Sequence, residues 1–276
     1  MRMTAKTWLI TGCSAGFGRA MAEVLLARGD NVAASARREE LLEPLIAAHP
    51  ERAIALKLDV TQPAEIAAAV AATRARFGRI DGLVNNAGSG NFALVEDSTL
   101  DSARAMMEVH YFGALELIKA VLPEMHARRS GCIVNIGSVA GQIGFPGISH
   151  YCASKFALSG LTESLAAEAR PLGITAMLAE LGPFATDFTG SMAMTMPSTP
   201  DYDLATMSRE AGNSHWSPGA DPHAGARALL AALESAEPPV RLVLGPEGLE
   251  VADLHDGRRR DSREKWRETG MLEGFG

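Results

Sequence analysis

The feature that most constrains this chain is a regular alternation of short apolar runs with segments of helical spacing. Residues 7–11, 31–36, 53–58, 82–85, 131–136, 174–181 and 240–244 read as strands. Between them, residues 19–28, 39–48, 63–77, 100–128, 151–170 and 221–235 read as helices, with a break expected near Pro123 in the longest. Strands joined by crossover helices lie parallel, and a parallel sheet is covered on both faces. Crossover handedness then favours an α/β, Rossmann-like, doubly wound parallel sheet of about seven strands. No linker divides the series. Residues 1–248 are therefore read as one domain and 249–276 as a C-terminal extension, helical or mobile, whose RRRDSREKWRE run is a solvated helix or a frayed end. Residues 184–218, with Met192, Met194, Met196, Tyr202 and Trp216, break the rhythm; a loop of that length is usually functional or mobile.

Charge narrows the function classes. Lys and Arg number 26 against 33 Asp and Glu, a net charge of −7, which argues against nucleic acid and anionic membranes as partners. No apolar run approaches the roughly 18 residues of a membrane-spanning helix. The N-terminus runs into the first strand too soon for a secretory signal. Cys13, Cys132 and Cys152 have no metal-ligand spacing, so reduced thiols, a cytoplasmic location and no metal site are expected.

Thr11-Gly12-Cys13-Ser14-Ala15-Gly16-Phe17-Gly18 lies between the first strand and the first helix. Glycines there let backbone approach a pyrophosphate, whose charge a helix N-terminus favours. Gly12, Ser14, Gly16, Phe17 and Gly18 are therefore candidate dinucleotide contacts. The second strand ends at Ala36-Arg37-Arg38, with no carboxylate to accept from a ribose 2′-hydroxyl. Arg37 offers a planar donor set suited to a 2′-phosphate, which favours NADP(H) over NAD(H). The competing reading has Arg37 and Arg38 solvating a helix start beside Glu39 and Glu40.

The spacing TGxxxGxG resembles the short-chain dehydrogenase/reductase family. Further markers arrive in order: Asn85-Asn86-Ala87-Gly88 after the fourth strand, Ser138 after the fifth, Tyr151-Cys152-Ala153-Ser154-Lys155 as YxxxK, and Leu181-Gly182-Pro183-Phe184-Ala185-Thr186, with Leu where Pro is usual. The resemblance implies cofactor contacts from Asn86, Ala87, Gly88, Pro183, Phe184 and Thr186, and from Asp59-Val60, where Asp59 would bond the adenine amino group; a helix-capping role for Thr61 or Asp59 competes. It implies that Ser138 holds the substrate oxygen, that Lys155 binds the nicotinamide ribose, and that Tyr151 exchanges the proton. It also implies pairing of copies as a homodimer or homotetramer.

Tyr151 and Lys155 lie four apart on one helix and share a face. An ammonium about 4 Å from a phenol favours the phenolate by roughly 4 kcal/mol at an effective dielectric of 20. The expected result is a phenol acidic enough for general acid–base work on a carbonyl or alcohol. One residue departs from the pattern. His110 stands where similar enzymes carry an Asn that completes a tetrad and supports a water relaying protons to the lysine. An imidazole there can relay protons or simply pack. Residues 89–92, 139–149 and 184–218 are expected to wall the substrate site, with Phe92, Phe145, His150, Met192, Met194 and Met196 giving an apolar lining; loop packing over the core is the alternative. His49, His126, His215, His223 and His255 are scattered and read as surface or satisfied residues. The function expected is NADP(H)-dependent interconversion of an apolar ketone or aldehyde and its alcohol, the alternative being a non-catalytic nucleotide sensor or scaffold.

Overall fold

The computed structural model describes residues 5–188, 190, 192–203, 206–207 and 219–272; His215, Trp216 and Pro218 lie outside them. In chain order the elements are β1 (Thr7–Ile10), α1 (Gly16–Ala27), β2 (Asn31–Ala36), α2 (Glu43–Ala48), β3 (Ala53–Lys57), α3 (Pro63–Phe77), β4 (Gly82–Asn85), β5 (Asn91–Phe92), α4 (Leu100–Met107), α5 (Gly113–Arg128), β6 (Gly131–Ser138), α6 (Ser149–Ala169), β7 (Ile174–Leu181), β8 (Ala193–Met194), α7 (Pro222–Leu233), β9 (Arg241–Leu244) and α8 (Pro246–Lys265). Seven strands form one parallel sheet in the order β3-β2-β1-β4-β6-β7-β9. The expected doubly wound sheet is therefore present. Its order reverses between β1 and β4, and a ligand crevice lies outside the strand ends at such a reversal.

Successive strand residues point to opposite faces, so a strand covered on both sides must be apolar throughout. Trp8 and Ile10 join the core under α1 and α7, whereas Leu9 joins the core under α3, α5 and α6. Val84 against Leu83, Val134 against Ile133 and Met177 against Ala176 divide in the same way. Gly82 is fixed by packing, because a Cβ there would lie 2.1 Å from the Trp8 ring. Edge strand β9 is tied down by Arg241, which donates to the buried carboxylate of Glu180 on β7 (3.1 Å) and to Glu163 on α6 (2.6 Å).

Two expectations are corrected. The long helix does not break at Pro123, which sits inside α5; proline removes one backbone bond, and a helix anchored by Leu117, Ile118, Val121 and Met125 absorbs that loss. Its irregularity is instead a π-helical turn over Glu108–Phe112. The helix expected over 39–48 begins as a 3₁₀ turn, Glu39–Leu42, before α2. A second sheet, β5 beside β8, has two residues per strand and gives no sequence pattern to read. Beyond β9, α8 carries the chain on to Lys265.

Candidate active site

The exits of β1 and β4 are laced together. The Thr11 hydroxyl accepts from the backbone N–H groups of Asn86 (2.9 Å) and Ala87 (2.8 Å), while the Asn86 amide donates to the carbonyls of Thr11 (2.8 Å) and Gly12 (3.0 Å). Asn86 thereby fills the space beneath the glycine turn. A Cβ on Gly18 would stand 2.2 Å from its amide nitrogen and 2.5 Å from the Gly12 carbonyl. Gly12 and Gly16 adopt φ of 71° and 62°, a region side chains resist. Helix α1 starts from Ala15 with no side-chain cap and no acid in its first turn, so among the described residues neither a cap nor its own first turn supplies its leading N–H groups with an anionic partner. That donor set fits a pyrophosphate.

Opposite this turn, a Cβ on Gly16 would come within 3.4 Å of Thr186, and Phe17 meets Phe184 edge-on at 5.4 Å between centroids. Backbone bonds between Pro183 and Ala220 (3.1 Å) and between Ala185 and Ala220 (2.9 Å) hold the segment in place. Ser14 lies half-buried on the turn, and Arg37 stands exposed just past β2. Among the described residues Arg37 forms no ion pair with Glu39 or Glu40. Asp59 Oδ1 accepts from the Thr61 N–H (3.0 Å) and hydroxyl (2.8 Å), so one carboxylate oxygen braces its own turn. Val60 is buried, its carbonyl 2.7 Å from where a Gly113 Cβ would sit.

Strand β6 carries Ser138 to its last position, and α6 opens at Ser149, placing Tyr151 and Lys155 in its first two turns. Ser138 stands beside the Tyr151 phenol and accepts from the Ala140 N–H at 3.1 Å. Lys155 is 5% exposed; its ammonium donates to the Ile136 carbonyl at 2.8 Å and stands 5.7 Å from the Tyr151 ring centroid. Burial brings Lys155 down to about 8. The phenol departs from expectation: burial pushes it up to about 12, with the neighbouring Ser138 hydroxyl working against that rise. The Lys155 ammonium is committed to Ile136, and the anticipated acidification is not found.

The π turn points His110 inward, where it is 1% exposed. Its Nε2 accepts from the Ser89 N–H at 3.1 Å, and its Nδ1 lies 2.7 Å from the Ser154 hydroxyl, which donates to the Tyr151 carbonyl at 2.8 Å. Burial and the Lys155 charge hold the imidazole well below its usual value. The Tyr151 ring sits between His110 (5.5 Å) and Phe188 (5.7 Å). A cavity of about 10 Å³, at the lower limit for one water, is bounded by Thr11, Asn85, His110, Ile136 and Lys155 among others. Asn85 Oδ1 is buried without a hydrogen-bond partner among the described residues.

The substrate side is made of short pairings. Ala93 N–H donates to Gly147 (2.8 Å), Thr195 N–H to Phe92 (2.8 Å) and Ala193 N–H to Gly90 (3.3 Å). Phe92 lies against Gly147, and Met192 against Gly90. Met194 and Met196, expected in the lining, are 68% and 72% exposed and face solvent. Phe145 meets His255 of α8 at 6.4 Å, so the C-terminal extension backs the segment leading to Tyr151. His150 Nε2 is buried without a partner among the described residues. Sequence reading gives Ser89 and Phe188 no role of their own beyond the wall segments 89–92 and 184–218, and Ser154 none beyond its place in the YxxxK stretch.

A family model described as short chain dehydrogenase matches residues 6–196. An oxidoreductase of Botryotinia fuckeliana named BOA17 is 38% identical over 270 residues, 96% of this chain and 98% of its own. A short-chain dehydrogenase structure from Streptomyces avermitilis aligns with a TM-score of 0.90 at 39% identity, covering 98% and 99% of the two chains. One from Burkholderia cenocepacia, in complex with NADP, aligns at 0.73 and 27% identity over 96% and 98%. By these matches the chain belongs to the short-chain dehydrogenase/reductase family, oxidoreductases that act on CH–OH groups with a nicotinamide cofactor.

Proposed function

We propose that this protein is an NADP(H)-dependent carbonyl reductase, reversible as an alcohol dehydrogenase, acting on an apolar ketone or aldehyde. The reading is carried by one observation: Ser138 at a strand end stands beside the phenol of Tyr151 and draws its pKa down, one helical turn from the buried Lys155. Gly12, Gly16 and Gly18, the open N-terminus of α1 and Asn86 would hold the dinucleotide, with Pro183, Phe184 and Thr186 closing over it. Arg37, with no ion pair among the described residues, would meet a 2′-phosphate. The cofactor supplies or accepts the hydride. Phe92, Phe145 and Phe188 favour an apolar substrate. A cytoplasmic homodimer or homotetramer completes the reading.

The chain's own part is proton chemistry. Ser138 and Tyr151 donate hydrogen bonds to the substrate oxygen, bonds that strengthen as negative charge develops there. A phenol near 12 is fully protonated at neutral pH, so Tyr151 is ready to act as an acid. An alkoxide is more basic than a phenolate, so the transfer from Tyr151 Oη to the new alkoxide runs downhill. The ammonium of Lys155, 5.7 Å from the ring centroid, would have to leave the Ile136 carbonyl to steady the phenolate left behind.

Replacing Tyr151 with Phe should lower kcat for reduction by about 10²–10⁴-fold, the range for loss of a positioned acid, with cofactor binding retained. Reduction should fall as pH rises through about 8, where Lys155 gives up its charge. Alcohol oxidation, which needs the phenolate, should still be climbing at pH 10. A Tyr151→Phe enzyme turning over a panel of apolar ketones with NADPH at the parent rate would defeat the proposal.

A further inference from the structure

We infer that His110 is a positioning residue, a neutral imidazole clasp that joins the loop after β4 to the first turn of α6 and fixes the stance of Tyr151. The inference rests on the catalytic reading of Tyr151 given above. Donor counting sets its direction. The Ser89 N–H can only donate, so Nε2 presents a lone pair to it. Ser154 has a single hydroxyl proton, which goes to the Tyr151 carbonyl. Its oxygen therefore accepts at the 2.7 Å contact, and the ring proton sits on Nδ1. The chain of donors runs one way, from Ser89 through the ring and Ser154 to Tyr151, and each bond polarises the next.

Both ring nitrogens are thereby engaged, so neither is left to pass a proton. Protonating Nε2 would set one N–H against the N–H of Ser89. Charge around the ring opposes this too. Lys155 and Tyr151 face it from α6, and residues 86–90 bring no titratable side chain from the other side. The surroundings accommodate the clasp. The π turn directs residue 110 inward, and a Cβ on Gly88 would crowd Nε2 at 3.2 Å. The ring edge also packs on the Tyr151 ring, 5.5 Å between centroids. Of the two roles open from sequence, proton relay is replaced by a hydrogen-bonded hold on the acid.

The test has one arm that needs no activity. Nitrogen-15 correlation spectra of the full chain, histidine-labelled, should show the His110 proton on Nδ1 and no titration between pH 5.5 and 9, with assignment by the His110→Phe variant or, if that variant fails to fold, by the signal that Ser154→Ala perturbs. A proton on Nε2, or a ring that titrates in that range, overturns the inference. The second arm is kinetic. Ser154→Ala and His110→Phe should each lower kcat for carbonyl reduction about 10-fold, and the double variant no further, as coupled partners do. KM for the cofactor and the shape of the pH profile should hold. Additive losses, or loss of a pH limb in either variant, overturn the clasp. The expected spectrum in a protein that reduces no carbonyl would instead break the catalytic reading and leave the hydrogen-bonded clasp standing.

Discussion

Around the glycine turn, the atoms that define the site are backbone carbonyls, backbone N–H groups, one threonine hydroxyl and one amide, packed so closely that a single added carbon at Gly18 would overlap Asn86. Across the cleft, the substrate side is made of side chains on β5, β8 and their loops, with Met194 and Met196 turned out to water. The first surface is an extension of the sheet and inherits its rigidity. The second is loop, held by a few backbone bonds, and is free to vary in shape. A fold built this way keeps one ligand constant while the other can change.

The largest effect expected on this contrast is at its tight pole. Gly18→Ala places a methyl 2.2 Å from the Asn86 nitrogen and 2.5 Å from the Gly12 carbonyl. One neighbour is backbone, so the turn itself must move. Overpacking of this kind costs about 1–3 kcal/mol, and a displaced turn should weaken dinucleotide binding by about 10- to 100-fold, at 1.4 kcal/mol per decade. Denaturant unfolding and cofactor titration by fluorescence check the two halves. Parent-like values in both would mean that the turn is as pliable as the loops opposite it.

That contrast also explains what could be read from the sequence. The strands were legible because both faces of the sheet are buried, which makes Leu9 and Ile10, or Leu83 and Val84, apolar side by side. The cofactor side was legible because close backbone approach leaves glycines at fixed spacing. The π turn was not, since a five-residue widening of a helix barely alters its apolar spacing, whereas Pro123 gave a signal that packing overrides. The phenol of Tyr151 was misjudged because four-residue spacing puts Lys155 on the right face without saying where its ammonium points, and here that ammonium bonds Ile136. His110 was visible as a departure from pattern. Its partners Ser89 and Ser154 are 21 and 44 residues away in the chain, beyond what local spacing can join.

A middle-sized effect is expected where the tight surface meets solvent. Arg37 is exposed and unpaired with Glu39 or Glu40, so its removal should cost the fold little. A charge-assisted bond to a phosphate is worth about 1.5–3 kcal/mol, so Arg37→Ala should raise KM for NADPH about 10- to 100-fold and leave KM for NADH within about 2-fold. The ratio of the two cofactors' kcat/KM values measures it directly. An equal rise for both would assign Arg37 to general electrostatics, and no rise for either would return it to the solvation of a helix start.

The smallest effect is expected at the loose pole, and it is the sharper test of how far that side is free. Met194 and Met196 are more than two-thirds exposed, so truncating them removes little buried area and should change stability by under about 0.5 kcal/mol. Their backbone lies in or beside β8, whose pairing with β5 does not depend on the side chains. If they stay in solvent during turnover, Met194→Ala and Met196→Ala should leave kcat and KM for an apolar ketone within about 2-fold of the parent, an effect below about 0.5 kcal/mol. If the loop instead closes over substrate, KM should rise steeply with the length of the substrate's apolar tail in these variants and not in the parent. Comparing a short and a long ketone in each variant separates a surface that is loose at rest from one that tightens on binding, which is the property that would let this half of the cleft accept what the rigid half presents.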